Sequence, residues 1–165
     1  MDQKALKSNQ ESDQQVTIRQ VASDDLDFVT ALDKRVTGLA KPDYWQDIFN
    51  RYVERQRPER FFLVAEDADS DISKPVLGFI VGEVRAWEFG SEPSGWVFAF
   101  SVDPDVRERG VGELLFETIS EKFLGAGVKT MRTMVERKNQ LHMAFFRSEG
   151  MAAGPYIQLE KDLDE

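Results

Sequence analysis

Residues 102–115 read VDPDVRERGVGELL. The stretch leaves an apolar, β-rich run, WVFAFSV (96–102), and enters a segment in which Leu115, Ile119 and Phe123 fall on one line, with Leu114 and Phe116 beside it. A strand, a Pro-bearing turn and a helix are therefore expected in that order. Such a junction can hold an anion. The first backbone N–H groups of a helix have no acceptor inside it, and the helix dipole is positive there. Glycines at 110 and 112 let the backbone approach a phosphate without a Cβ in the way. Arg107 and Arg109 add charge that fits phosphate oxygens. A G-x-G turn alone would serve equally as an ordinary tight connection. Two familiar phosphate motifs do not fit: a dinucleotide G-x-G-x-x-G needs Gly at 115, which is Leu, and a P-loop needs Gly-Lys-Ser/Thr.

After this helix, which Gly125 and Gly127 stop, residues 129–135 alternate as a further strand. Strand, helix and strand make a βαβ unit, so the flanking strands should be parallel. Asn139 caps a short helix through Ser148 ended by Gly150, and residues 156–163 read as a last strand. Upstream, 16–21 (VTIRQV), 61–65 (FFLVA) and 76–85 (VLGFIVGEVR) read as strands, the last with Gly78 and Gly82 suggesting close packing or a bulge. Between the first two lie two helices. One follows a Ser23 N-cap and turns Leu26, Val29, Leu32 and Val36 inward, with Asp33 on or beside that face. The other opens at Pro42, carries Trp45, Ile48, Phe49, Tyr52 and Val53 as a core stripe, and ends at Arg57-Pro58. Residues 67–75 form a polar turn, 87–96 a loop, and 1–15 a disordered polar tail before a single domain, 16–165. The order predicts an α/β protein: a mixed sheet covered by helices.

Composition narrows the function. The 165 residues include 21 Lys plus Arg against 30 Asp plus Glu, a formal charge of −9, which argues against nucleic acid or an anionic membrane as partner and suits a cationic one. There is no cysteine, which removes disulfides, thiolate metal sites and a cysteine nucleophile. One histidine excludes a multi-histidine metal site, so no metal is expected. Lacking a signal peptide or membrane span, the protein is expected to be cytoplasmic.

The segment Val102-Asp103-Pro104 through Gly110-Val111-Gly112, followed by Leu114-Leu115, resembles motif A of the GNAT superfamily of acetyltransferases, Arg/Gln-x-x-Gly-x-Gly/Ala after a strand ending in Val-x-Pro. Asn139, Phe146 and Gly150 are similar in spacing to the family's next motif, and the element order from Val16 to Leu163 agrees. The resemblance implies a mostly antiparallel, twisted sheet of six to seven strands with a parallel, splayed central pair, covered by about four helices. It implies acetyl-CoA as co-substrate, with its pantetheine arm on the backbone of Phe100, Ser101 and Val102. Its pyrophosphate would lie on the turn Arg107, Glu108, Arg109, Gly110, Val111, Gly112 and Glu113, with Asn139 contacting the arm and Phe146 packing at its sulfur end. The acceptor would be a small amine, a polyamine, or a protein N-terminus or lysine, chosen by the loops at 36–44 and 87–96. A homodimer is left open.

Two departures matter. The aromatic seven residues after the Asn is usually Tyr in this family, thought to protonate the departing thiolate. Phe146 cannot, so water, Tyr156 or Tyr44 would substitute, or the protein only binds acyl-CoA as a non-catalytic regulatory domain. The fourth strand also lacks the acid that many members use as base. Glu83 near the end of the third strand is the first candidate, ahead of Asp33 and Glu136, and each could equally be a solvated acid. His142 reads as a surface or boundary residue.

Overall fold

The computed structural model describes residues 15–68 and 76–164. The expected tail lies outside these apart from Gln15, whose carbonyl accepts from the Ala68 amide at 2.7 Å, and most of the expected 67–75 turn lies outside them too. The chain divides into two compact units, Met1–Arg132 and Thr133–Glu165.

The elements of the first unit are strand β1 (Val16–Gln20), helix α1 (Leu26–Thr37), helix α2 (Pro42–Phe49), strands β2 (Arg60–Asp67), β3 (Gly78–Arg85) and β4 (Ser94–Val102), helix α3 (Val111–Gly125) and strand β5 (Met131–Thr133), whose last residue falls in the second unit. The sheet order is β1-β2-β3-β4-β5. The first three pairings are antiparallel and β4–β5 is parallel, as the βαβ reading requires. The sheet buries two faces because side chains alternate along each strand. Phe62, Val64, Phe79 and Val81 join Val29, Trp45, Ile48 and Phe49 of α1 and α2. Leu63, Ala65 and Ile80 join Val111, Leu115, Ile119 and Phe123 of α3. Full burial of each large apolar side chain stabilises the fold by about 1.5–3 kcal/mol.

Gly78 and Gly82 serve close packing, the first of the two expected purposes. A Cβ on Gly78 would stand 2.9 Å from the Ser101 carbonyl oxygen and 3.0 Å from Leu115 Cδ1; one on Gly82 would stand 2.7 Å from the Trp96 carbonyl and 2.9 Å from Phe123 Cζ. α3 can lie this close to the sheet only over bare glycines. The bulge is opposite: Val81 pairs with Ala99 but Gly82 with Val97, leaving Phe98 as the extra residue of β4.

Several local expectations change. Ser23 is not a side-chain cap; Ser23–Asp25 forms a 3₁₀ turn in which the Asp25 carboxylate accepts from the Ala22 amide at 2.7 Å. The Arg19 fork holds that carboxylate at 2.6 and 2.9 Å and reaches Glu66 at 2.8 Å. Val36 is exposed, because the inward line of α1 ends at Asp33. α2 runs on as a π-helical turn, Asn50–Glu54, which keeps Tyr52 buried.

In the second unit, helix α4 (Gln140–Ser148) is capped as expected, with Asn139 Oδ1 accepting from the His142 amide at 3.0 Å. Gly150, at φ +87°, ends it in the left-handed region that glycine favours. The strand expected at 156–163 does not form, and Ile157 and Leu159 stand 84% and 85% exposed. A period-two pattern supplies a face, but a strand also needs a ladder partner. The sheet therefore has five strands among the described residues, not six or seven. β5 is likewise three residues rather than seven, although the alternation runs on to Val135.

Candidate active site

The turn before α3 is built in two steps. Pro104–Arg109 is a 3₁₀ turn whose cap is Asp103: its Oδ1 accepts from the Asp105 amide at 2.9 Å. Gly110 then adopts φ +72° and becomes the N-cap of α3. A side chain there would be strained by its left-handed backbone more than by crowding, since the nearest atom to an added Cβ is Glu113 Oε2 at 3.9 Å. The first α-helical bond is Leu114 N–H to the Gly110 carbonyl, 3.1 Å. The amides of Val111, Gly112 and Glu113 thus have no acceptor within the helix, at the positive end of its dipole. Amides grouped in this way at a helix start can donate to an oxyanion group.

The charged side chains around it are less uniform than the motif suggests. Arg109 forms an ion pair with Asp67 at the end of β2. Arg107 is exposed and makes no ion pair among the described residues. Glu108 and Glu113 are exposed. Upstream, Ser101 is buried, and Phe100 and Val102 pack against the α3 face of the core.

Glu83 lies on the opposite face of the sheet, paired in register with Arg60 and Trp96. Its carboxylate faces Arg85 Nε at 3.3 Å and Arg60 Nε at 3.7 Å. The Tyr52 hydroxyl also hydrogen-bonds it; burial first, then that bond and the Glu83 charge, push the Tyr52 phenol above its ordinary value. The Tyr52 ring meets Phe98, the bulge residue, at 5.6 Å between centroids, and the Arg85 guanidinium lies over Trp96 at 5.1 Å. Glu83 is thus beside the bulge, but a substrate ammonium would have to share it with two arginines.

Asp33 is 4% exposed and structural in its contacts: Oδ2 accepts from Trp45 Nε1 at 2.9 Å and faces Lys41 Nζ at 3.0 Å. This latch fastens the start of α2 to α1. Tyr44, one of the expected substitute acids, stacks edge-on against Trp45 at 5.0 Å; burial pushes its phenol up, against Lys41 and Arg51. On the loop expected to choose the substrate, Trp87 and Phe89 are exposed and hold left-handed φ values of +61° and +53°. Arg132 fastens this loop's base by donating to Ser91 Oγ at 2.9 Å and Ser94 Oγ at 3.3 Å.

In the second unit Phe146 is buried, its ring edge-on to His142 at 6.1 Å, and the Met151 amide donates to the Phe146 carbonyl at 2.9 Å. Glu136 is exposed; its carbonyl accepts from the Asn139 amide at 2.9 Å. Tyr156 lies outside any regular element.

A helix N-terminus after a bulged central strand, beside a parallel strand, is the architecture expected of an acetyltransferase of the GNAT type. Residues 26–151 match the model of the acetyltransferase (GNAT) family, and the chain belongs to that family. The fold agrees with solved structures. The aminoglycoside N-acetyltransferase AAC(6')-Iy, in complex with CoA, superposes with a TM-score of 0.75 over 90% of this chain and 95% of that one, at 16% identity. Aminoglycoside 6'-N-acetyltransferase AAC(6')-Ih from Acinetobacter baumannii gives 0.72 over 90% and 99%, at 14% identity. Glucosamine-6-phosphate N-acetyltransferase from Arabidopsis thaliana gives 0.69 over 91% and 99%, at 17% identity. A search of curated protein sequences finds no match.

Proposed function

We propose that the chain is an acetyl-CoA-dependent N-acyltransferase that moves an acetyl group directly to a primary amine. The observation that carries this reading is the Gly110-capped N-terminus of α3, with its three unsatisfied amides, in a chain of the GNAT family. The similar AAC(6')-Iy structure holds CoA, which supports assigning CoA to this chain.

Acetyl-CoA would supply an acyl group activated as a thioester. The amides of Val111, Gly112 and Glu113, with Arg107, would hold its pyrophosphate, and the backbone of Phe100, Ser101 and Val102 would align its arm and polarise the carbonyl. Asn139 and Phe146 enter this reading through their motif spacing alone. The amine forms the new C–N bond as the C–S bond breaks, and its excess proton must leave. Glu83 is the proposed acceptor for that proton; Arg85 faces one of its oxygens and Arg60 the other, so the amine would share the carboxylate with them. With Phe146 unable to donate, the departing thiolate leaves unprotonated or takes a proton from water, which a thiol of pKa about 8.5 tolerates.

The acceptor class is a small amine, a polyamine or a peptide amine. The acidic whole, at −9, favours a cationic one, and the similar structures act on amino sugars by name. A panel of such amines incubated with acetyl-CoA tests the reading: acceptor-dependent release of CoA thiol is expected. CoA binding without release for any amine would instead favour a regulatory acyl-CoA-binding domain, the reading that Phe146 motivates.

A further inference from the structure

The turn assigned to the phosphates has an electrostatic problem. Residues 103–113 contain four acids, Asp103, Asp105, Glu108 and Glu113, against two arginines, and one of those, Arg109, is engaged by Asp67. On charge alone the segment repels the polyanion assigned to it.

Arg35 answers this. It stands in the last turn of α1, 68 and 70 residues away along the chain from its partners. Nη1 donates to Asp103 Oδ1 at 2.8 Å and Nη2 donates to Asp105 Oδ2 at 3.0 Å. The Asp103 oxygen it holds is the one that caps the 3₁₀ turn through the Asp105 amide. One planar guanidinium therefore does two things. It offsets one of the two negative charges upstream of Gly110, and it fixes the spacing of the two carboxylates and with it the path of the turn. A lysine, as a point charge, could do the first but not the second in the same geometry.

We propose that Arg35 is a positioning residue for the CoA phosphates, acting through Asp103 and Asp105 and touching no part of the ligand. This deepens the function proposed above and rests on it. An exposed ion pair that served stability alone would leave ligand affinity untouched.

The test is calorimetric titration of CoA into the full-length protein, at low and at high sodium chloride, with circular dichroism to confirm that each variant is folded. Wild type, Arg35→Gln, Arg35→Lys and the double variant Arg35→Gln/Asp105→Asn are compared. At low salt Arg35→Gln is expected to weaken CoA binding by about tenfold, since it uncovers two carboxylates near the anion. Salt screens exposed charges, so the gap between Arg35→Gln and wild type should narrow at high salt. Arg35→Lys should fall between the two, and Asp105→Asn, which removes one uncovered charge, should recover part of the loss. Equal affinity of wild type and Arg35→Gln at low salt overturns the inference. A loss that neither salt nor Asp105→Asn reduces overturns it as well, because it would reflect a packing defect. If wild type itself fails to bind CoA, the assignment of CoA has failed and the inference falls with it, an outcome distinct from the other two.

Discussion

The Trp45 indole nitrogen donates to Asp33 Oδ2 across 2.9 Å in the packed face between α1 and α2, and Lys41 Nζ meets the same oxygen at 3.0 Å. This closes the short connection after Gly38 onto the helix before it. Asp33→Ala leaves a buried indole N–H without its acceptor, which should cost about 1–3 kcal/mol, read as a lower urea midpoint. Asp33→Asn keeps an acceptor for the indole and should cost less. If Asp33 is structural, the Asn variant should also keep the wild-type pH–rate profile; a lost limb would make Asp33 the base.

Gly78 and Gly82 should resist replacement, as should Gly95 of β4, where an added Cβ would stand 2.6 Å from the buried Phe123 ring. Gly78→Ala sets a methyl 2.9 Å from the Ser101 carbonyl and Gly82→Ala sets one 2.7 Å from the Trp96 carbonyl, both against backbone that cannot swing aside. Each should lose about 1–3 kcal/mol in denaturant unfolding. Gly78→Ala should also weaken CoA binding, since the same methyl pushes on Val111 and Leu115 at the start of α3. Gly125→Ala, with nothing within 4 Å, is the control and should leave stability unchanged or raise it by up to about 1 kcal/mol.

Acid should unfold the protein partly through Asp25. Burial works to raise this carboxyl, but the Arg19 hydrogen bonds, the Ala22 amide and the Arg19 charge outweigh it and hold it below its ordinary 3.8. A depressed folded value means the contribution is complete above the unfolded value and is lost as pH falls through the folded one. Stability measured between about pH 5 and pH 2 should therefore fall less steeply in Arg19→Met than in wild type, from a lower plateau. Equal slopes would show that the pair does not couple to folding.

Substituting Glu83 separates a proton acceptor from a structural anchor. Glu83→Gln keeps the size and an acceptor oxygen for Tyr52 but removes the charge that Arg60 and Arg85 share. If Glu83 takes the proton, kcat should fall about 10²–10⁴-fold with loss of the acidic limb of the pH–rate profile. A small, pH-independent change would leave it as a brace for the two arginines.

What could be read from the chain was local. The Trp45-to-Tyr52 stripe, the Asn139 cap, the Gly110 turn and the alternation of β2 and β3 each declare themselves within a few residues. The paired glycines of β3 announced close packing, whereas the bulge falls on the neighbouring strand, at Phe98 of β4. The contacts that shape the site are not local. Arg109 meets Asp67 from 42 residues away, and Arg35 meets Asp103 and Asp105 from farther still. Nothing in the neighbourhood of RERGVG says that one of its arginines is engaged elsewhere. Glu83 was legible as an acid at a strand end, two residues from Arg85 on the same strand, but not its partners Tyr52 and Arg60, which come from two other elements. Residues 156–163 failed in the opposite sense: the pattern was present and its ladder partner was not.

The most direct test of the account is a calorimetric titration of acetyl-CoA into wild type and Gly112→Glu, the latter placing a carboxylate among the amides that should hold the pyrophosphate. Micromolar binding by wild type and none by a folded Gly112→Glu is the predicted result. No binding by wild type, or affinity that survives Gly112→Glu, would contradict it.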